Sequence, residues 1–485
     1  MSAWFGPWTL SWQALGYTLL IAIERALVLY VVAIDGTQLV LLFLGWARLR
    51  RRERLEAGER AALLRSPLAP AVAIIAPAHN EAATVVASTR AMLTLQYPNH
   101  EVIVVNDGSK DETLAVLIAE FRLFRSERVP TGGLATKRVK AVYESSDPLR
   151  LLVIDKENGG KADALNVGLN YARTPIVAAV DSDSLLEGDA IIQAVKPFMD
   201  EPETTVAVGG MVRAVNGCAV AGGQVTGMTA PPSFIALFQS LEYLRAFLGA
   251  RVGLSFLDSL LIVSGAFGLF RRDVVLAAGG FLHSTVGEDM ELVVRLHETL
   301  RREGRAYRIP FVADPVCWTE VPESWSVLKR QRNRWQRGAI DSLWLHRRAM
   351  FRPRFGAVGL FAMPYFLFFE VLAPIAELLG YVLVVVGLAI GRVSVAVGVG
   401  FFVVCVLFGI LLSVGAVVLD ELTARRHPSV RDVLRLFGAG VVENLGVRQM
   451  VAVWRLKGTY DWFRGNTTWG AMERRGFGAP QQKPA

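Results

Sequence analysis

The stretch AVAIIAPAHNE, residues 71–81, decides the fold: a run of small and branched apolar residues stops abruptly at a polar loop. EVIVVNDGS (101–109), LLVIDKENGG (151–160) and PIVAAVDSDS (175–184) repeat the device. Apolar runs of this length without alternation fit strands buried on both faces. Helical segments follow them, such as Ala82 to Leu95 and Asp111 to Phe124, and strands alternating with helices are the signature of a parallel α/β sheet. In open sheets of this kind ligands bind outside the carboxyl ends of the strands, which is where the polar residues cluster.

On either side of this region the pattern becomes lipid-like. The chain has 485 residues, enough for one large domain with appendages, and its 52% hydrophobic content exceeds what a soluble core requires. Ala26 to Trp46 is apolar except for Asp35, Thr37 and Gln38 and runs into a cluster of arginines, Arg48 and Arg50 to Arg52, which reads as a membrane anchor with its C-terminal end inside. Trp12 to Ile23 fits either a surface helix or another crossing. Val371 to Gly391, interrupted only by Glu377, and Ser394 to Leu419, without a charged residue, read as a transmembrane hairpin turning at Arg392-Val393. Gly356 to Phe369, broken by Pro364, reads as interfacial, as does Asp432 to Trp454 with Arg435, Glu443 and Arg448. The organisation expected is an anchor at 1–52, a cytoplasmic catalytic domain at 71–350, an interfacial helix and hairpin at 356–419, and an interfacial helix and tail at 432–485.

The formal charge of +8 resides in arginine clusters beside the apolar spans, near residues 50, 350 and 425, so it reports topology rather than nucleic-acid binding. Three cysteines without metal-ligand spacing exclude a disulfide framework. Gly217 to Pro232, with its four glycines, reads as a flexible flap, and Leu241 to Phe256 as an amphipathic helix beside an acceptor site.

Asp181 and Asp183 follow a buried strand one residue apart. That spacing suits a hard divalent cation, which takes one or two carboxylates plus substrate phosphates; the competing reading is a solvated turn with capping aspartates. Asp107 ends another strand and suits either a nucleotide contact or an Asx turn. Gly159 and Gly160 permit close backbone approach, and Lys161 opens a helix where an anion is stabilised. Asp155 occupies the place of the first P-loop glycine, and no G-x-G-x-x-G follows a strand, so neither common phosphate motif is present. Glu288 and Asp289 in STVGEDMEL open a helix, where they serve as caps or as a rigidly mounted general base. In QRNRWQRG (331–338), Arg332, Arg334 and Arg337 cannot all share one face with Trp335. Arginine suits bidentate phosphate contacts and indole suits stacking on a sugar; a basic juxtamembrane helix is the alternative.

Taken in order, PAHNE, NDGS, ENGGKADALN, DSDS, SGAFGLFRR, GED and QRNRW closely resemble the family 2 glycosyltransferases. The nearest subgroup is the membrane-bound, often processive one of cellulose, chitin, hyaluronan and poly-N-acetylglucosamine synthases. The match covers roughly Ala71 to Gly338. It implies a GT-A fold flanked by transmembrane and interfacial helices, a UDP-sugar donor, Mg²⁺ or Mn²⁺, and inversion at the anomeric carbon. Carried over by position, it implies that Pro77, Ala78, Asn80, Glu81, Asp107 and Lys161 hold the nucleotide and that Asp181 lies near the ribose and diphosphate. Asp183 would ligate the metal, Asp289 beside Glu288 would be the base, and Gln331, Arg334 and Trp335 would hold the diphosphate and the acceptor sugar. NDG stands in place of the commoner DDG, and GED in place of TED.

The expectation is therefore an integral protein of a bacterial-type plasma membrane that moves sugars to a growing polysaccharide. Two alternatives accompany it: single transfer to a lipid-linked acceptor, and a non-catalytic membrane scaffold or transporter with a nucleotide-binding domain. Retention of the carboxylates at all three sites argues against the scaffold.

Overall fold

The computed structural model describes residues 6–50, 58, 66, 69–146, 150–391, 395–423 and 429–466. Twelve strands are found among them: β1 (Val72–Ala78), β2 (His100–Asp107), β3 (Phe124–Arg125), β4 (Val139–Glu144), β5 (Leu151–Lys156), β6 (Ile176–Val180), β7 (Ser184–Leu186), β8 (Ala207–Ala214), β9 (Ala219–Ala221), β10 (Gln224–Gly227), β11 (Phe267–Arg271) and β12 (Phe311–Thr319). Ten form one sheet in the order β3-β4-β5-β2-β1-β6-β11-β8-β12-β7.

The four apolar runs are neighbours, β5-β2-β1-β6, and all parallel. Successive residues on each strand face opposite sides. Val72, Ile74, Val102 and Val104 enter one core cluster, while Ala73, Ile75, Ile103 and Val105 enter the other. Both faces are covered, which is why these strands read as unbroken apolar runs rather than as alternation. The register sets Ala78 beside Asn106, Asn106 beside Asp155 and Asp107 beside Lys156, so the polar strand ends share one edge.

The parallel pattern ends at Val180. β11 runs antiparallel to β6 and β8, β12 runs parallel to β8, and β7 runs antiparallel to β12. The excursion of residues 215–266 leaves and re-enters the sheet at the same end, so the strand that follows it is reversed. Within that excursion, the stretch expected as a flap contains the β9–β10 hairpin. The expected amphipathic helix starts earlier, at Phe234, and reaches Phe256 through a π-helical stretch at Arg245–Arg251.

The N-terminal helix is continuous from Gly6 to Arg50. Its segment Arg25–Arg50 is, among the described residues, the one unbroken helix long and apolar enough to cross a membrane; Val358–Val371 and Ala373–Ala389 pass the same test only as a pair bent by 43°. Helices Ala373–Ala389 and Val395–Thr423 occupy the two arms of the expected hairpin, and its turn lies outside the described residues, as does the chain beyond 466. Pro364 does not break the 358–371 stretch. The wider turns of Val358–Ala362 and Phe366–Val371 flank it, and such widening accommodates a missing N–H. Val358, Ala362, Met363 and Tyr365 are buried in the core cluster that also contains Ile75. Asp432 to Trp454 is two helices rather than one, Val430–Val442 and Arg448–Phe463, parted by non-helical backbone at Leu445 and Gly446.

Candidate active site

The loops after β1, β2 and β5 form one hydrogen-bonded unit. Asn80, at φ 56°, receives the backbone N–H of Lys110 on its Oδ1 at 2.8 Å and donates its own N–H to Ser109 Oγ at 2.9 Å. Glu81 donates its N–H to Thr113 Oγ1 at 2.8 Å. Pro77 and Ala78 are the last residues of β1, with Ala78 buried. Asp107 is buried and accepts from Lys156 Nζ at 2.5 Å, Gly159 N at 2.9 Å and Gly160 N at 2.8 Å. Its carboxylate thus ties the end of β2 to the start of the helix Lys161–Tyr171. Gly108 makes this closure possible: its φ is +63°, and a Cβ there would lie 2.6 Å from Asn158 N.

Lys161 continues the connection. Its Nζ lies 2.5 Å from Asp181 Oδ1 and 3.6 Å from Glu288 Oε1, and it donates to Gly265 O at 3.3 Å. The dipeptide Gly160-Lys161 therefore touches Asp107 with its backbone and Asp181 with its side chain. Burial works against the Lys161 ammonium, but Asp181 and Glu288 outweigh it, so the group stays charged well above the ordinary lysine range. Burial raises Glu288, with Lys161 opposing and Asp289 reinforcing the shift.

Ser264 to Phe267 walls this cluster. Asp181 N–H donates to Ala266 O at 3.4 Å, and Gly265 N–H donates to Asp289 Oδ2 at 3.1 Å. Asp289 Oδ1 accepts from Met290 N at 2.8 Å, so two backbone donors orient this carboxylate at the start of the helix Glu288–Arg302. Asp183 is buried two residues beyond Asp181, and both raise the Cys317 thiol, whose main shift comes from burial. Arg251 completes the surroundings: burial lowers it to about 10 against the pull of Asp289, its guanidinium lies 4.0 Å from the Phe247 ring centroid, and its Nη1 is buried without a hydrogen-bond partner among the described residues.

QRNRWQRG lies on the helix Trp325–Leu345, and its arginines do diverge. Arg332 pairs with Glu242 at 2.7 Å and sits 4.3 Å from the Trp335 ring centroid, whereas Arg337 Nε bonds Asn333 at 3.0 Å. Gln331 and Arg334 are buried, and Trp335 is 41% exposed. Gln331 Oε1 is buried with no hydrogen-bond partner among the described residues. This helix meets the Asp289 helix at two glycines: a Cβ on Gly287 would lie 2.8 Å from Gly338 Cα. Arg334 stands one turn from that contact, about 6 Å along the axis.

The structure thus joins the Pro77–Glu81 loop to Asp107 through His79, and Asp107, Lys161, Asp181, Glu288 and Asp289 through the contacts above; Gln331, Arg334 and Trp335 lie on the helix whose Gly338 meets Gly287. Sequence reasoning missed Lys156, Arg251 and the Gly287–Gly338 approach, and gave Gly265 no role beyond its place in SGAFGLFRR. A lysine ending a buried strand was the available sign for Lys156; nothing local marked Arg251.

Among the described residues no group of three His, Cys, Asp or Glu side chains is placed to hold a metal by itself. The Asp181/Asp183 pair fits a hard divalent cation of the Mg²⁺ or Mn²⁺ type, which commonly takes one or two carboxylates and completes its shell with substrate phosphates and water.

Residues 135–338 match the family model described as glycosyltransferase like family 2. Poly-beta-1,6-N-acetyl-D-glucosamine synthase of Staphylococcus aureus (strain COL) is 26% identical over 266 residues, 55% of this chain and 53% of that protein. A probable glycosyltransferase of Bacillus subtilis (strain 168) is 27% identical over 273 residues, covering 56% and 55%. The chain spans about half the length of the curated relatives it matches. A mannosyltransferase from Pyrobaculum calidifontis, solved in complex with GDP-Man and Mn²⁺, superposes with a TM-score of 0.50 at 19% identity over 88% of this chain and 99% of its own, a likeness of fold.

Proposed function

We propose that the chain, whose residues 135–338 match the glycosyltransferase like family 2 model, transfers a sugar from a UDP-sugar to a growing polysaccharide at a membrane, with inversion at the anomeric carbon. The observation that carries this reading is the convergence of Asp181, Lys161, Glu288 and Asp289 on the SGAF wall, beside the carboxyl ends of the parallel strands.

On this reading each group has a distinct task. The loop of Pro77, Ala78, Asn80 and Glu81 and the Asp107 tie shape the nucleotide pocket, while Lys161 and Arg334 supply positive charge to the diphosphate. Asp183 would ligate Mg²⁺ or Mn²⁺, with Asp181 beside it near the ribose and diphosphate; when bound, the ion would neutralise charge growing on the leaving diphosphate. Asp289 accepts the proton of the attacking hydroxyl; its two backbone donors hold the carboxylate in one orientation, so no reorganisation is needed as the proton arrives. Burial disfavours the charged form of Glu288 beside that base, with Lys161 opposing. Gln331 and Trp335 receive the acceptor, the buried Oε1 of Gln331 offering a hydrogen-bond acceptor and the half-open indole a stacking face.

The apolar helices support the membrane part of this reading. Arg25–Arg50 as anchor, residues 71–350 as the cytoplasmic catalytic domain, and the 356–419 and 432–485 segments as hairpin, interfacial helices and tail make an integral protein of a bacterial-type plasma membrane.

Purified full-length protein, offered a panel of UDP-sugars with GDP-mannose as a comparison, tests the reading by nucleotide release and product size. UDP release with a lengthening product is expected. A single added sugar on a lipid would replace polymerisation by single transfer, and no release from any sugar nucleotide would overturn the enzyme.

A further inference from the structure

The half of QRNRWQRG that turns away from the cleft is as fully engaged as the half that faces it. Asn333 Nδ2 donates to Asp461 Oδ2 at 2.7 Å, Gln336 Nε2 donates to Thr459 Oγ1 at 3.1 Å, and Arg455 Nε donates to Gln336 Oε1 at 2.9 Å. All three partners lie on the helix Arg448–Phe463 near the end of the chain. The two helices touch closely at Gly458, where a Cβ would lie 2.8 Å from Asn333 O and 3.0 Å from Gln336 Cβ. Gln336 is nine-tenths buried or more, so its hydrogen bonds are shielded from water.

A second line of contacts passes from this helix to the catalytic carboxylates. Trp462 Nε1–H donates to Asp341 Oδ1 at 2.6 Å. The other oxygen of Asp341 accepts from Thr285 Oγ1 at 3.3 Å, and Thr285 Oγ1 in turn accepts from Gly287 N–H at 3.0 Å. Gly287 immediately precedes Glu288 and Asp289, and it is the residue in contact with Gly338. Four groups on three separate segments are thus linked by hydrogen bonds from the last described helix to the start of the Asp289 helix.

We propose that Trp462, Asp341 and Thr285 are positioning residues for the transfer site, through which the helix Arg448–Phe463 sets the placement of Asp289 relative to Arg334 and Trp335. A hydroxyl with one donor proton and a carboxylate with two separate acceptor oxygens suit such a relay, because each link leaves the next atom one favoured partner. The residues act through others and touch no substrate. Their removal therefore lowers turnover and leaves donor binding in place.

This proposal rests on the glycosyltransferase reading, and its test separates the two. Trp462→Phe keeps an aromatic ring against Trp344 and removes the N–H donor together with part of the indole's bulk. Thr285→Val removes the hydroxyl, and Thr285→Ser restores it. Hydrogen exchange measured on the full-length protein is expected to quicken about five- to tenfold at residues 286–289 in W462F and T285V, the scale of one lost hydrogen bond, and to stay at the wild-type rate in T285S. In UDP-release assays kcat is expected to fall by about tenfold or more in the first two variants with the donor KM little changed. Unchanged exchange at 286–289 in both W462F and T285V overturns the relay. So does quickened exchange with wild-type kcat, which would make the contacts structural. A wild-type protein that releases no nucleotide overturns the enzyme reading instead, while the exchange experiment still decides whether the helices are coupled.

Discussion

Gly338→Ala isolates the meeting point of the two helices that carry the proposed base and the proposed acceptor groups. A Cβ at position 338 would lie 2.9 Å from Gly287 Cα and 3.1 Å from Gly287 N. Carbon atoms in ordinary contact stand about 3.5–4.0 Å apart, so the helices must separate by roughly 0.6–1.1 Å. Overpacking of this kind costs about 1–3 kcal/mol, but alanine is favoured over glycine in a helix interior by about 0.8–1 kcal/mol. Stability should therefore fall by about 0–2 kcal/mol. The displacement, however, falls on the residue preceding Glu288, and a shift near 1 Å at a reacting group is worth about 10² in rate. Asp107 and the Gly160-Lys161 link lie outside this contact, so donor KM should hold. Initial rates of UDP release against donor concentration, with a thermal melt of the same preparation, read both quantities. A G338A protein that melts like the wild type and keeps a near-wild-type kcat would refute the idea that this glycine pair sets the active geometry.

Three further outcomes follow from the site. Asp289→Asn should lower transfer by about 10²–10⁴ while nucleotide binding, measured calorimetrically, survives; near-normal turnover would remove Asp289 from the base role. Chelation with EDTA should abolish UDP release and weaken nucleotide binding, with recovery on adding Mg²⁺ or Mn²⁺; undiminished release in the chelated protein would refute the role given to Asp181 and Asp183. His346 bridges Glu291 at 3.1 Å and Glu298 at 2.5 Å, and although burial alone would lower its pKa, these two carboxylates raise it. A raised folded-state value means stabilisation fully present below the unfolded pKa of about 6.5 and lost as pH climbs through the folded value. The melting difference between wild type and His346→Gln should thus be widest in mild acid and close toward alkaline pH. A difference that widens with rising pH would contradict this, Arg295 on Glu291 and Arg302 on Glu298 being the neighbouring charges that stay constant.

The central strands were legible because burial on both faces demands an unbroken apolar run, and the polar residue ending each run had to fall at a sheet edge. Asp107, Asp181 and Lys161 could be picked out for that reason. Their actual partners could not. Asp107 is met by Lys156 and two backbone amides because β2 and β5 are in a particular register, and register between parallel strands leaves no local mark. The reversal of β11 was hidden similarly, since strand direction depends on where a long excursion returns. Pro364 misled because a proline ordinarily interrupts a helix, and the wider turns that absorb it are stabilised by burial of Met363 and Tyr365 rather than by local preference. Arg251 was invisible because its neighbours come from an aromatic ring one turn away and a carboxylate 38 positions along the chain.

The electrostatics of the cluster explain why these dispersed parts have to be assembled together. Asp181, Asp183, Glu288 and Asp289 lie in one cluster with the cations Lys161 and Arg251. At an effective dielectric near 20, two like charges 4 Å apart repel by about 4 kcal/mol, so a bare diphosphate would be turned away from such a site. Lys161 holds the arrangement together by engaging Asp181 and Glu288 at once, while burial disfavours the charged form of Glu288. On the proposed reading, entry of a diphosphate therefore requires added positive charge, which a divalent cation held at the aspartates would supply.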